Sequence, residues 1–328
     1  MRCLIVHNLK SGFGSNAIFE FERALLNEGD ECVLRILKEG QRADDVLADA
    51  ESFDLAVLSG GDGTTSSLLY GLRYRDVLTC VFPSGTANLF CLNLGIAAEP
   101  SALARACRVG RCVSTDLGEL TFTDIHGSRH KRGFSIMMGT GFDAQIMRDA
   151  VAGKQTLGAV AYFTAVFSNV HPPVRHFVID MDGTTIERDG ISCLVANTTQ
   201  IQAGIEIVPD SRMDDGLLEV IILEQADAVG LLRPLIASIV DHKGDRLGRP
   251  EIETFRGQHI RITPSLPVPL EYDGETYEEP VASYEAVVLP AANRIVVDGL
   301  SSYHDPSDSA SEENPRFGSG ELASFPEP

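Results

Sequence analysis

Two apolar runs, Asp54–Leu58 and Val77–Phe82, each break into a polar, glycine-bearing turn and then into a helical segment. The turns read Ser59-Gly60-Gly61-Asp62-Gly63-Thr64 and Pro83-Ser84-Gly85-Thr86-Ala87-Asn88. Strand, turn and helix in that order, met twice in succession, imply a mostly parallel sheet covered on both faces, because parallel strands need long crossover connections. Both turns then lie at the carboxyl ends of the strands, where open α/β sheets bind ligands. A third polar loop, Asn8-Leu9-Lys10-Ser11-Gly12-Phe13-Gly14, follows the strand Cys3–His7 and joins the same edge. Glycines let the backbone turn tightly and approach a ligand closely. Their N–H groups, with the following helix N-terminus, make an anion cradle. Three such loops at one edge favour a phosphate site. Asp62 suits a Mg²⁺ or its water shell, and suits a helix cap as well. Lys10 is placed either to neutralise phosphate or simply to be solvated. The turns match neither the Walker A pattern nor G-x-G-x-x-G.

The rest of the first third keeps the alternation. Ala17–Asn27 puts Ile18, Phe21, Leu25 and Leu26 on one helical face, Glu31–Leu37 reads as a strand and Ala43–Glu51 as a helix. From about Asp116 strand-like runs dominate: Arg132–Met138, Arg175–Met181, Ser192–Asn197, Leu217–Leu223, His259–Thr263, Pro269–Tyr272 and Ala286–Leu289. Phe177, Ile179 and Met181 alternate on one face. Helical segments around 155–169 and 225–241 interrupt them. The expected architecture is an α/β N-terminal domain with a parallel sheet over 1–116, and a mainly antiparallel β-sandwich over 117–289. Residues 290–304 are able to complete either. Beyond about Asp305 the chain is rich in Ser, Pro, Gly and acid, and 305–328 reads as a disordered acidic tail.

Charge and cysteines narrow the function classes. A formal net charge of −20 argues against a nucleic-acid binder and against nonspecific adsorption to anionic membranes, unless a local basic patch exists. The seven cysteines are irregularly spaced without a C-x-x-C, which disfavours zinc or disulfides and favours a reducing, cytoplasmic setting. No signal peptide is visible. The longest uncharged stretch, Gln155–Val174, holds polar residues and two prolines and is not a bilayer span. Any membrane contact is expected to be peripheral.

Two acidic motifs lie in the second half. In Asp210-Ser-Arg-Met-Asp214-Asp215-Gly216-Leu217, adjacent carboxylates suit a hard divalent ion, or form a solvated turn before a strand. In Tyr272-Asp273-Gly274-Glu275, a carboxylate pair on a turn suits general-base chemistry, and Asp-Gly is an ordinary hairpin signal.

Together these motifs resemble the diacylglycerol kinase catalytic-domain family, which includes bacterial lipid kinases and sphingosine and ceramide kinases. The matches are Asn8…Ser11-Gly12, Gly60-Gly61-Asp62-Gly63-Thr64, Gly85-Thr86-Ala87-Asn88, Gly139-Thr140-Gly141-Phe142-Asp143-Ala144, Val208-Pro209-Asp210…Asp214-Asp215-Gly216-Leu217-Leu218 and Asp273-Gly274-Glu275, in the family's order. The Asp62 loop alone also fits NAD kinases and phosphofructokinases. The resemblance implies ATP in a cleft between two domains. It implies nucleotide contacts from Asn8, Ser11 and Gly12, from Gly60 through Gly61, Asp62, Gly63, Thr64, Thr65 and Ser66 to Ser67, and from Gly85, Thr86 and Asn88. It suggests Glu275 as the proton acceptor from a lipid hydroxyl, helped by Asp273. It suggests Mg²⁺ on the Asp215 carboxylate and the backbone carbonyls of Arg212 and Leu217.

The sequence departs from the family at Leu9, where Pro is usual, at Ser66-Ser67, where Asn-Glu is usual, and at Leu89, where Asp is usual. The expected partner is a membrane lipid met at the inner membrane face, with a homodimer left open. A kinase for a soluble acceptor such as NAD, and a lipid-binding protein without transferase activity, are the alternatives.

Overall fold

The computed structural model describes residues 1–11, 16–96, 98–109, 111–141, 173–201, 205–224, 252–299 and 301–303. The helices expected around 155–169 and 225–241, the tail, Gly12 and Phe142-Asp143-Ala144 lie outside the described residues.

Strands β1 (Arg2–His7), β2 (Glu31–Ile36), β3 (Leu55–Gly60) and β4 (Leu78–Pro83) pair in parallel in the order β2-β1-β3-β4. β3 is buried at all six positions, as a strand covered on both faces must be. Helices α1 (Ala17–Asn27), α2 (Ala43–Val46), α3 (Asp62–Leu72), α4 (Leu89–Leu94) and α5 (Pro100–Val109) accompany it. α1 buries Ile18, Phe21 and Leu25, whereas Leu26 is 48% exposed. One residue past Leu25 is about 100° further round the helix, so Leu26 leaves the core face. The helix expected over Ala43–Glu51 shortens to α2 and a 3₁₀ turn at Ala50–Ser52.

The second half is antiparallel. Its strands are β5 (Cys112–Thr123), β6 (Arg129–Phe134), β7 (Met137–Gly141), β8 (Arg175–Met181), β9 (Thr184–Gly190), β10 (Ser192–Ala196), β11 (Gln200–Ile201), β12 (Ile205–Glu206), β13 (Leu218–Leu223), β14 (Ile252–Gly257), β15 (His259–Pro264), β16 (Val268–Tyr272), β17 (Glu275–Val281) and β18 (Tyr284–Val296). One layer continues the parallel sheet as β4-β18-β15-β8-β9, with β5 and β6 branching from β18; the other runs β14-β13-β10-β7-β16-β17. Between them sit Phe122, Phe134, Phe177, Ile262 and Tyr284 from the first layer, against Met138, Val195, Val220 and Leu270 from the second. This is a β-sandwich core.

β18 joins the two halves. Its early residues pair with β5 and β15, and Arg294 and Ile295 pair in parallel with Leu78 and Thr79 of β4. The strand expected over Arg132–Met138 is divided: β6 ends at Phe134 in one layer and β7 begins at Met137 in the other. The break has a cause, since the N–H groups of Ser135, Ile136 and Met137 all turn to the Asp273 carboxylate instead of a neighbouring strand.

Candidate functional site

The three polar loops meet at the carboxyl edge of β1, β3 and β4 and bond to one another. The Asn8 side chain donates from Nδ2 to Thr64 Oγ1 at 2.8 Å, and Ser11 Oγ accepts the Gly61 N–H at 3.1 Å. Ser59 Oγ lies 2.5 Å from Ser84 Oγ and 2.9 Å from His7 Nδ1. Burial holds His7 below the usual imidazole range. Gly61 and Gly85 touch backbone to backbone: a Cβ on Gly85 would fall 2.7 Å from Gly61 Cα. A glycine at position 85 is what lets the two turns close on each other.

Asn88 adopts a left-handed φ of 50° and clasps its own turn, accepting the Gly85 N–H at 2.6 Å and donating to the Gly85 carbonyl at 2.8 Å. Asp62 does cap a helix, although not the one that follows it. Its Oδ1 accepts the Phe90 N–H at 3.3 Å at the start of α4, tying the second loop to the third. Burial raises its acid against the pull of the Phe90, Leu89 and Asn88 N–H groups.

Across from these loops stands the hairpin turn between β16 and β17. Asp273 and Gly274 take φ of 46° and 84°, the paired positive values of a tight hairpin turn. The turn carries Glu275 onto the glycine loop: a Cβ on Gly63 would lie 3.0 Å from Glu275 Oε1 and 3.1 Å from its Cγ. A side chain at position 63 would have to push Glu275 aside. Asp273 is buried and faces inward. It accepts the Ser66 hydroxyl and the N–H groups of Ser135 at 2.6 Å, Ile136 at 3.1 Å and Met137 at 2.9 Å. Burial pushes its acid up to about 6.

The Asp273 oxygens are committed to protein donors that anchor the turn bearing Glu275. Ser66 is buried, its hydroxyl bonded to Ser135 Oγ at 2.5 Å and to Asp273. Thr65 is buried also, its N–H given to the Gly61 carbonyl at 2.9 Å. These two are turned into the protein, whereas Ser67 and Thr86 are exposed. Lys10 pairs at the surface with Glu39 at 3.0 Å.

The acidic motif forms a separate corner. Arg212 grips Asp214 through two hydrogen bonds of 2.7 and 2.8 Å. Arg256 bridges Asp215 at 2.7 Å and Glu219 at 2.8 Å, and Asp215 Oδ1 accepts the Leu217 N–H at 3.0 Å. Beneath them Asp116 is buried, accepting the Gly216 and Ala291 N–H groups at 2.7 Å each, its acid raised by burial and further by the charges of Asp215 and Asp214. Carboxylates thus outnumber guanidiniums, and Glu219 Oε2 is buried without a hydrogen-bond partner. Hard oxygens of this kind are what a divalent cation takes, although both Asp215 oxygens are engaged here, by the Leu217 N–H and by Arg256. No cluster of three His, Cys, Asp or Glu able to hold a metal exists among the described residues. A cation there would rest on Asp215 and backbone carbonyls.

Sequence reasoning missed Ser135, which has no motif around it and meets Asp273 only through the layer switch. It also missed Ser59 and Ser84 as a bonded pair, although both stood inside the glycine turns.

Two family models match in tandem: the diacylglycerol kinase catalytic domain over residues 2–120, and the YegS C-terminal NAD kinase beta sandwich-like domain over 136–297. A diacylglycerol kinase of Bacillus subtilis is 26% identical across 68% of this chain and 71% of its own length. A Stenotrophomonas maltophilia protein named probable lipid kinase YegS-like is 26% identical across 76% of this chain and 81% of its own. An uncharacterised Synechocystis protein is 26% identical across 83% of this chain, a match spanning 61% of that relative. The crystal structure of a diacylglycerol kinase from Bacillus anthracis superposes with a TM-score of 0.65 at 18% identity, over 92% of this chain and 98% of that one.

Proposed function

Because the chain belongs to the diacylglycerol kinase catalytic-domain family, a family of phosphotransferases, we propose that it moves the γ-phosphoryl group of ATP onto the hydroxyl of a membrane lipid, diacylglycerol or a near relative. The observation that carries this reading is the Glu275 carboxylate packed against Gly63 of the phosphate-binding loop. A base and a polyphosphate cradle in contact are what in-line transfer to an alcohol requires.

Each group then has a task. The Gly61–Thr64 and Gly85–Asn88 turns cradle the phosphates, with the Gly61 and Gly85 N–H groups held by Ser11 and Asn88 to shape them, and with Asn8, Ser67 and Thr86 beside them. Glu275 takes the acceptor's hydroxyl proton. Asp273 holds the turn that aims Glu275, and Asp62 holds the second loop to the third. Mg²⁺, when bound, supplies positive charge to the phosphates near the loops, and at the acidic corner it would sit on Asp215 with the carbonyls of Arg212 and Leu217. Among the described residues no helix is long and apolar enough to cross a membrane, and we propose peripheral contact at the inner membrane face, from the cytoplasm.

A soluble acceptor such as NAD is the rival, favoured by the NAD kinase-like description of the second domain. Purified protein with labelled ATP, offered diacylglycerol in mixed micelles or NAD, separates the two. Phosphatidate product is expected. Label passing to NAD alone removes the lipid reading, and nucleotide binding without any product over a broad lipid panel leaves only a binding role. Glu275→Gln should lose on the order of 10²–10⁴-fold in kcat while melting like wild type; full activity would remove the base assignment.

A further inference from the structure

β6 is pinned to the β16–β17 hairpin at two points. At one, the His130 ring lies 4.9 Å from that of Phe122 and 5.4 Å from that of Tyr277, between centroids. At the other, the Ser135 N–H donates to Asp273 at 2.6 Å. Residues 130 to 135 therefore run beside residues 277 to 273. Arg132 shares the face of His130, because side chains two apart on a strand point the same way. Gly133 faces away, against Tyr70, where a Cβ would come within 2.4 Å of the ring. Glu275 falls between Asp273 of the turn and Tyr277 of β17, and Arg132 falls in the matching interval of β6; both reach the Tyr272 phenol.

The Tyr272 phenol registers both neighbours. Burial first, then the negative charge of Glu275, push it up, while a hydrogen bond and the positive charge of Arg132 draw it down. The neighbour of Arg132, Lys131, is paired with Glu119 at 2.6 Å, and the His130 ring lies 2.8 Å from an Asp124 oxygen. Arg132 is exposed, donates from Nη1 to the Lys131 carbonyl at 2.9 Å, and forms no ion pair among the described residues. In a chain of net charge −20, a guanidinium without a carboxylate partner among the described residues, close to the phenol that also meets Glu275, is a ready partner for phosphate oxygens, whose forked geometry it matches.

We propose that Arg132 is a catalytic residue of the transfer, gripping the transferred phosphoryl group on the side of Glu275. This rests on the transferase reading above. The acceptor O–H gives its proton to Glu275. The acceptor oxygen bonds to the γ-phosphorus as the bond to the β,γ-bridging oxygen breaks, and that oxygen leaves with the electron pair on ADP. Arg132 holds the charge spread over the equatorial oxygens.

The test compares wild type, Arg132→Ala, Arg132→Gln, Arg132→Lys and Arg129→Ala for kcat, KM and pH profile on diacylglycerol micelles, with thermal melting as the check on folding. Arg129 is exposed on the opposite face of β6. Arg132→Ala and Arg132→Gln should lose on the order of 10²–10³-fold in kcat, Lys should recover part, and Arg129→Ala should match wild type. Should Arg132→Ala fail to fold, the Gln variant decides. A kcat within about threefold of wild type overturns the proposal. So does an unchanged plateau with a displaced acid limb, which would make Arg132 a tuner of Glu275 and nothing more. An active wild type with an indifferent Arg132 sinks this inference alone; a wild type that transfers to no acceptor sinks the function with it.

Discussion

Asp273 is a carboxylate surrounded by donors and nearly closed to water, and its titration has a sign. With its acid raised to about 6, the folded chain keeps this proton to higher pH than the unfolded chain, whose aspartates ionise near ~3.9. The group's stabilisation is complete below about pH 4 and is lost as pH rises through about 6. Two pKa units amount to about 3 kcal/mol, an order-of-magnitude figure. Urea unfolding of wild type and Asp273→Asn across that window should show the wild-type advantage shrinking by about 2–3 kcal/mol as pH rises. A difference that stays level with pH would mean the carboxylate is not proton-linked to folding. At this scale the sequence offered Asp273 and Glu275 as a carboxylate pair on one turn, and the family resemblance made Asp273 the helper. The side chains divide them: Glu275 faces the loop, and Asp273 faces Ser66 and Ser135.

The turns of this protein hold one another, so their substitutions should act beyond their own loop. Asp62→Ala removes the carboxylate at the start of α4 and is expected to cost about 1 kcal/mol, the usual price of a lost cap. Asp62→Asn, which keeps an acceptor, should lose less. If both melt like wild type, the carboxylate does not cap α4 in solution. Gly85→Ala forces a Cβ against the Gly61 backbone at 2.7 Å, and neither turn has a flexible atom there to yield. We expect at least tenfold weaker ATP binding by calorimetry, on the order of 1.4 kcal/mol, from a chain that still folds. Unaltered affinity would show that the two turns need not close together. The strand–turn–helix order of both loops was legible, since it is written in adjacent residues. That Asp62 would cap the helix of the next loop was not, because a cap partner 28 positions away leaves no local pattern.

At the scale of the whole molecule, β18 makes one continuous sheet of what composition divides into two halves. Its 13 residues pair with β5 along their length, with β15 at one end and with β4 at the other, so one strand belongs to both halves. The net charge of −20 acts at this scale also. Anionic vesicles repel such a chain at low ionic strength, and salt with a Debye length of about 3 Å at 1 M screens that repulsion. Activity on diacylglycerol in vesicles should fall as the anionic lipid fraction rises and recover with added salt. Activity rising with anionic lipid would instead locate a basic membrane-facing patch.

The sequence by itself determined the parallel α/β half, the antiparallel second half, the Asp-Gly hairpin and the family motifs, because each is carried by periodicity or by residues that are neighbours in the chain. Tertiary structure alone decided which of them share a site. Ser66 and Asp273 are 207 positions apart and hydrogen-bonded, and Arg132 and Glu275, far apart in the chain, both reach Tyr272. Contacts of that kind follow from strand register and layer packing, which depend on every paired residue at once and leave no signature in any short stretch of the chain.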